Sequence, residues 1–356
     1  MKFVKKDEWF RFRDGQGNLI ERKTEVRVDP LTGETSRIIF DPGIKFTPPD
    51  FTRAAEETGG AKCPFCPENL YKMTPVFQEE IAEQGRIIQG EAVVFPNLFP
   101  YSKHNGVVVL SKKHYLRLEE MTVPLIKDGL AAAQAYVQRI VETDKDVRYA
   151  SINWNYLPYS GGSILHPHLQ VAASDSPTNY QALINEKIKG FNSEKDYFTD
   201  LYEKEKSLGE RWIGEIGNAA WMHAYSPKGQ NDFLAIFPEK YSLDDIVEQD
   251  WIHFAQGLQA VFAALTDQGF ASFNMMLTVP TEASAKQSIH VRLIPRFTIG
   301  MMDTSDINYF QALHQEPLHI KYRKRLQKKR ESIFQIYNSG IGILLIITRV
   351  NLSPCF

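Results

Sequence analysis

The sequence is poor in cysteine. Three cysteines in 356 residues cannot build a disulfide framework. It also lacks long hydrophobic runs. The longest, Ile341–Ile347 with its glycine, falls well short of a membrane span. The opening MKFVKKDEWFRF has no apolar stretch of the length a secretory leader needs. Neither charge is in surplus: 41 Lys+Arg against 43 Asp+Glu leave a net charge of −2. That balance argues against a surface that coats nucleic acid, but leaves room for a local site holding a small anion. These shortages point to a soluble, cytoplasmic chain with no membrane or nucleic-acid partner. The sequence is not short of material for a core, since 43% of it is hydrophobic. The length suits about two domains.

Residues 1–60 read as loop- and turn-rich, with turn signals at Asp29-Pro30-Leu31-Thr32-Gly33 and Asp41-Pro42-Gly43 and a short strand at Ser36–Phe40 between them. A regular pattern follows. Strands are expected at Ala92–Phe95 and Val107–Leu110 and a turn at Asn97–Ser102. Apolar spacing predicts a helix over 123–142, with Thr122 as N-cap and Pro124 in its first turn, followed by strands at Tyr149–Asn155 and His166–Ala172. The order then recurs: strands at Trp221–Ala224 and Phe233–Phe237, a helix over 249–266, strands at Phe270–Leu277 and Ser288–Pro295. RYASINWNYLP (148–158) matches GFASFNMMLTV (269–279), and ILHPHLQVA matches SIHVRLIPR. This reads as an internal duplication and a two-lobed α+β protein. The copies are unequal, because His166-x-His168 in the first becomes His290-x-Arg292 in the second. The basic run 319–330 reads as a solvated helix end, and the tail after it fits neither lobe.

Cys63-Pro64-Phe65-Cys66 has the spacing that chelates one zinc ion tetrahedrally, with histidines as the remaining ligands because Cys355 lies in the tail. A redox pair opening a helix, or an incidental knuckle, is the alternative. In His166-Pro167-His168-Leu169-Gln170, strand geometry projects His166, His168 and Gln170 to one side. Pro167, with no N–H, suits an edge or an open cleft. Just upstream, Tyr159-Ser160-Gly161-Gly162-Ser163 offers backbone N–H groups and hydroxyls to phosphate oxygens, and Asn155 stands on the preceding strand.

CPFCP (63–67), NLFP (97–100), SKKH (111–114) and N-x5-G-x-S-x2-H-P-H-x-Q (155–170) together resemble the galactose-1-phosphate uridylyltransferase family, the transferase branch of the histidine-triad superfamily. The likeness covers about residues 25–175 and extends more weakly to about 315. It implies two histidine-triad-like lobes, each an antiparallel sheet with packed helices. Residues 1–190 form the catalytic, zinc-binding lobe, 191–315 a second lobe without the His-x-His pair, and 316–356 a basic segment and tail. The resemblance makes Cys63, Cys66, His114 and His166 the ligands of one structural zinc ion, with His104 as the rival histidine. It makes His168 the nucleophile, Gln170, Asn155, Gly161 and Ser163 phosphate contacts, and Asn97 and Phe99 contacts to base and ribose. It further implies a homodimer whose sugar end borrows partner residues, the segment Asp306–Gln311 being the candidate. The chain departs from the family at Leu98, where uridylyltransferases usually carry Asp. It departs again in FDPGIKFTP, which keeps only Lys45 as a phosphate partner, with Arg37 and Arg53 nearby. Because only His290 survives beside Leu277 and Arg292, a second metal is not expected.

The implied substrates are a nucleotide sugar and a sugar-1-phosphate. The implied reaction is UDP-glucose and galactose-1-phosphate exchanging a uridylyl group through a nucleotidyl-histidine. The alternative is adenylyl transfer or phosphorolysis on ADP-glucose or a dinucleoside polyphosphate. Glutamine at position 170 binds phosphate oxygens but is no general acid, which favours transfer over hydrolysis. A hydrolase and a non-catalytic nucleotide-binding module are the competing classes.

Overall fold

Charge alternating with aromatic and aliphatic residues builds the N-terminal part. In the computed structural model, which describes residues 1–40, 46, 48–191, 193–280 and 287–321, strands β1 (Val4–Arg13) and β2 (Leu19–Val28) form a long antiparallel hairpin. Strand β3 (Thr35–Phe40) adds to β2 after the Asp29 turn, where Asp29 accepts the Leu31 and Thr32 amides. The expectation of a loop-rich N-terminus is therefore corrected. The ribbon is exposed on both faces for much of its length, so it buries no apolar face and shows no hydrophobic period. Cross-strand ion pairs such as Lys23–Asp7 and Arg11–Glu21 line it instead. Lys45, the Asp41–Gly43 turn, the 341–347 run and Cys355 lie outside the described residues.

Two short helices follow, α1 (Thr52–Thr58) and α2 (Pro67–Met73), the second starting directly from the CPFC knuckle. Next come β4 (Ile87–Gln89), β5 (Ala92–Pro96), β6 (His104–Val109), helix α3 (Val123–Thr143), β7 (Tyr149–Tyr156) and β8 (His168–Ser174). Thr122 caps α3 by accepting the Leu125 N–H, and Ile126, Leu130, Ala133, Val137 and Ile140 form its buried face. Two helices not foreseen in the sequence come next, α4 (Asn179–Lys189) and α5 (Tyr197–Leu208). The second half then runs β9 (Trp212–Ile216), β10 (Ala219–His223), β11 (Phe233–Ile236), α6 (Glu248–Asp267), β12 (Ser272–Pro280) and β13 (His290–Arg296). A small ribbon, β14 (Thr298–Ile299) with β15 (Thr304–Ser305), and helix α7 (Tyr309–Ala312) lead to β16 (Leu318–Lys321). That last strand pairs in parallel with β3, so residues 319–321 are strand where the sequence reads as a helix end.

Ten strands form one sheet in the order β4-β5-β6-β8-β7-β12-β13-β11-β10-β9. Read outward from its middle, each half has the same order: the first is 7-8-6-5-4, the second 12-13-11-10-9. β7 and β12 pair antiparallel at the seam, where Trp154 faces Met275, the two residues that the matched segments align with each other. Helices α3 and α6 pack on one side of the sheet over a shared core that includes Trp154, Phe262, Phe273 and Trp221. On the other side, the knuckle residues Cys63, Phe65, Cys66 and Leu70 cover Val93, Phe95, Val107 and Val109. At the far end, Tyr197, Phe198 and Leu201 of α5 cover Ala220, Met222, Leu234 and Ile236. Between these two covers, β8, β7 and β12 present polar side chains on the same face.

Candidate active site

Cys66 is the N-cap of α2, and Asn69 on that helix donates to the carbonyls of Gly60, Ala61 and Cys63, fixing the knuckle. His114, beyond the end of β6, and His166, just ahead of β8, approach it from separate elements. One donor atom from each of Cys63, Cys66, His114 and His166 lies within 4.8 Å of all the others. The His166 Nδ1 is 3.8 Å from the Cys63 sulfur and 3.7 Å from that of Cys66, and the His114 Nδ1 is 3.5 Å from the Cys66 sulfur. A tetrahedral ion with ordinary zinc–sulfur and zinc–nitrogen bonds separates S and N by about 3.6 Å. Both rings are oriented from behind. His166 donates its Nε2–H to the Ser111 carbonyl at 2.6 Å, and His114 pairs its Nε2 with the Thr58 hydroxyl, which donates onward to Ala54. These bonds leave both Nδ1 lone pairs directed at the cysteines, as metal ligation requires. Burial pushes the Cys63 thiol up to about 11 and the His166 imidazole down to about 4. Four donor atoms converging from separate elements fit a metal better than a dithiol couple, which would use the two cysteines alone. His104 is not part of it: the residue opens β6 and pairs with Asp144 at 2.7 Å.

His168 opens β8, two residues later than the strand start expected from the sequence, and His166 lies in the bend before it. The His168 Nδ1 is 2.8 Å from the His166 carbonyl. A carbonyl only accepts, so Nδ1 carries the proton and Nε2 carries the lone pair. Burial lowers the His168 pKa below its ordinary value, which keeps the ring neutral, and Phe65 packs edge-on against it at 5.2 Å. Gln170, half-buried, follows on the same face, and register places Asn153 opposite it. Asn155 is exposed on β7 two residues further along the same face.

The loop between β7 and β8 departs from ordinary backbone geometry. Leu157 has φ +68° although buried, and Gly161 sits in the left-handed region at φ +83°. A side chain on Gly162 would press on the Asn155 and Leu157 carbonyls. Ser163 is exposed beyond this turn. Asn97 and Phe99 are not beside His168. The Asn97 amide donates to the Asn105 carbonyl, and Asn105 faces Ala172, four residues or about 13 Å along β8. The Asn97 side chain organises its own turn, donating to Asn105 Oδ1 at 2.7 Å and accepting the Phe99 amide, while the Phe99 ring is 74% exposed.

The structure adds residues that sequence reasoning missed. Asn274 on β12 faces Asn155 across the seam and donates its Nδ2 to Asn155 Oδ1 at 2.7 Å and to the Ser160 carbonyl at 2.8 Å. Arg296 donates to Asn274 Oδ1 and grips Asp306 through two bonds of 2.8 Å. The matched segments align Asn274 with Asn153. Only the antiparallel seam brings it opposite Asn155, a register that the sequence alone does not fix. In the second half, Arg292 stands where His168 would, ion-paired with the fully buried Asp232.

No protein-family model matches the chain. A protein of Archaeoglobus fulgidus described as uncharacterized is 31% identical over 318 residues, covering 89% of this chain and 94% of its own. An ADP-glucose phosphorylase from Arabidopsis thaliana, solved with bound ADP-glucose, superposes with a TM-score of 0.65 at 16% identity, over 86% of this chain and 98% of that one. A solved uridylyltransferase gives 0.59 at 18% identity, over 87% and 98%. The architecture is thus that of the galactose-1-phosphate uridylyltransferase-like proteins, as the motifs implied. Within that class the chain belongs to one family with the Archaeoglobus protein. Among the described residues no helix is long and apolar enough to cross a membrane.

Proposed function

We propose that the protein is a nucleotidyltransferase that moves a nucleoside monophosphate from a nucleotide sugar to a phosphate acceptor through a covalent bond to His168. The observation that carries this reading is the His168 ring. Its Nδ1–H is tied to a backbone carbonyl, its burial keeps it neutral, and its Nε2 lone pair stands on the open sheet face beside Gln170 and across from Asn155. Attack by Nε2 on the α-phosphorus forms a P–N bond and breaks the P–O bond to the departing sugar-1-phosphate. An oxygen of the acceptor phosphate then attacks the same phosphorus and restores the imidazole. Gln170, Asn155 and the Gly161–Ser163 loop hold the phosphate oxygens, and Gln170 supplies no proton that would help water. Asn97 and Phe99, about 13 Å away along the strand, fit the nucleoside end of an extended nucleotide. Cys63, Cys66, His114 and His166 hold a structural zinc, which when bound contributes folding energy and pins the knuckle to the sheet.

Uridylyl transfer from UDP-glucose to galactose-1-phosphate is the first form of this reaction. Adenylyl chemistry on ADP-glucose is the second, because the exposed Leu98 departs from the acidic residue usual at this place in uridylyltransferases. A homodimer belongs to the same proposal, although in this chain Asp306 is engaged by its own Arg296 and Gln311 donates to its own Lys228 carbonyl. The test is parallel incubation with UDP-glucose and ADP-glucose labelled in the α-phosphate. Protein-bound label stable to alkali and lost in mild acid is expected from one of them. His168→Ala should abolish labelling and keep one zinc per chain, whereas His166→Ala should lose both. Label that persists in His168→Ala would overturn the assignment.

A further inference from the structure

Helix α1, with Phe51 as its N-cap, holds no residue of the site, yet it lies against both the metal group and the loop ahead of His168. At its C-terminal end the Thr58 hydroxyl spends its one proton on the Ala54 carbonyl, so across the 3.1 Å to His114 it is the ring Nε2–H that donates. Gly59 follows. A Cβ there would lie 2.9 Å from the Ala55 carbonyl and 3.2 Å from the His114 ring, so the absence of a side chain lets the helix end meet the metal ligand. At the N-terminal end Asp50 accepts the Thr52 amide and hydroxyl, and Arg117 reaches that hydroxyl at 3.5 Å. From His114 to Arg117 is three residues, about 10 Å of extended chain, and seven helical residues are about as long. Segment 114–117 thus runs the length of α1 and grips both its ends.

The same parts reach the loop. The Phe51 ring meets the Tyr159 ring edge-on, with centroids 5.6 Å apart and planes at 70°. Leu116, within the segment, accepts the Tyr156 hydroxyl. These two tyrosines flank Leu157, which is buried at φ +68° and ψ +167°, a backbone region that glycine almost alone adopts. Such a conformation persists only where its surroundings fix it. Two of the fixing contacts, at Leu116 and Phe51, come from the metal side. A third, from Asn274 to the Ser160 carbonyl, comes from the second half.

We infer that Phe51 and α1 form a strap between the metal group and the Gly161–Ser163 loop, with Phe51 and Tyr159 as its positioning residues. This rests on the reading of that loop as phosphate contacts. A filled metal group fixes His114, and through Thr58 and segment 114–117 it fixes the strap and the loop. Linkage makes the effect mutual: a phosphate ligand on the loop tightens the metal in return. Tyr159 is not a ligand and stands seven residues ahead of His166. Pairing its substitution with one at Phe51 separates a route through the strap from one through the loop backbone.

Zinc affinity of the full chain, read by equilibrium competition with a chelating dye, tests the strap. Without nucleotide, Tyr159→Leu should weaken zinc about three- to ten-fold, the worth of one aromatic edge contact. Phe51→Leu should do the same, and the double variant should lose no more than either alone. Both substitutions keep apolar bulk, and Tyr159→Phe, which keeps the ring, should match the wild type. Saturating UMP or AMP should tighten zinc about ten-fold in the wild type and about two-fold or less in Phe51→Leu. Zinc affinity unchanged in Tyr159→Leu, or single losses that simply add, overturns the inference. So does bound nucleotide that leaves zinc affinity unmoved in the wild type, or tightens it equally in Phe51→Leu. A wild type that binds neither nucleotide would count against the active-site reading, while the nucleotide-free zinc measurements would still decide the strap.

Discussion

At the residue scale, three buried histidines show how the partner of one ring nitrogen decides the use of the other. Each has one nitrogen against a backbone carbonyl: His166 at Ser111, His168 at His166 and His290 at Ser288. The remaining nitrogen meets sulfur in His166 and the open sheet face in His168. In His290 it is buried with no partner among the described residues, while the ring stacks on Phe198 at 3.8 Å. Burial, with a smaller push from the Arg292 charge, drives the His290 pKa down to about 3. Unfolded, the ring titrates at its ordinary value, so between about pH 6.5 and 3 the unfolded chain binds the extra proton. The stability His290 contributes is therefore complete above about 6.5 and is lost as pH falls toward 3. Urea unfolding of the wild type and of His290→Gln across that window should show a shallower acid slope in the variant. Equal slopes would mean that His290 is protonated in the folded state. That His114 and His166 gather with Cys63 and Cys66 was expected from the family resemblance of the motifs, and strand spacing alone placed His168 and Gln170 on one face. Asn274 and Arg296 were not legible in the sequence, because their role comes from a strand register that only the assembled sheet defines.

Among the elements, those with a continuous buried face were the readable ones. Helices α3 and α6 repeat large apolar residues every three to four positions, and their ends fall within a residue or two of where the period stops. The β1–β2 ribbon has no such face. Helix α4 has a weaker signature, the capping box Thr178…Gln181, with reciprocal bonds between the two residues, and α5 is bracketed by Asp196 as N-cap and Gly209 at φ +66°. Those caps were available as signals in a stretch that is otherwise polar. Close packing of helix on sheet also explains one glycine. A Cβ on Gly257 of α6 would overlap the indole nitrogen of Trp221, which is fully buried in the core. Gly257→Ala gains about 1 kcal/mol of helix propensity. It loses about 1–3 kcal/mol to overpacking, because a buried indole cannot swing away. Net destabilisation is expected, read as a lower urea midpoint at unchanged slope. A midpoint at or above that of the wild type would show that the interface relaxes freely.

Across the whole molecule, the two halves meet at the residue that binds phosphate in the proposed reaction. Asn155 lies on β7 in the first half, and its Oδ1 is held by Asn274 of the second. Asn274 is held by Arg296, and Arg296 by Asp306 in the segment after β15. With its oxygen engaged, the Asn155 amide keeps its Nδ2 for an anionic partner, since the side chain has one accepting end and one donating end. The second half thus positions a group of the first, although it lacks the His-x-His pair. Asn274→Ala frees Asn155 to turn, and single-turnover labelling of His168 should slow by about ten-fold, the loss of one oriented hydrogen bond to a charged group. Arg296→Lys keeps the charge but not the two-pronged grip on Asp306, and should slow labelling by less. Both variants should retain one zinc per chain and bind nucleotide with little change, because neither side chain belongs to the metal group or reaches the nucleoside end. The informative reading is the split between rate and affinity. A lower melting temperature with an unchanged labelling rate would reduce the chain Asp306–Arg296–Asn274 to packing at the seam. A slower rate with intact metal and binding would mean that the second half acts on the reaction by orienting Asn155.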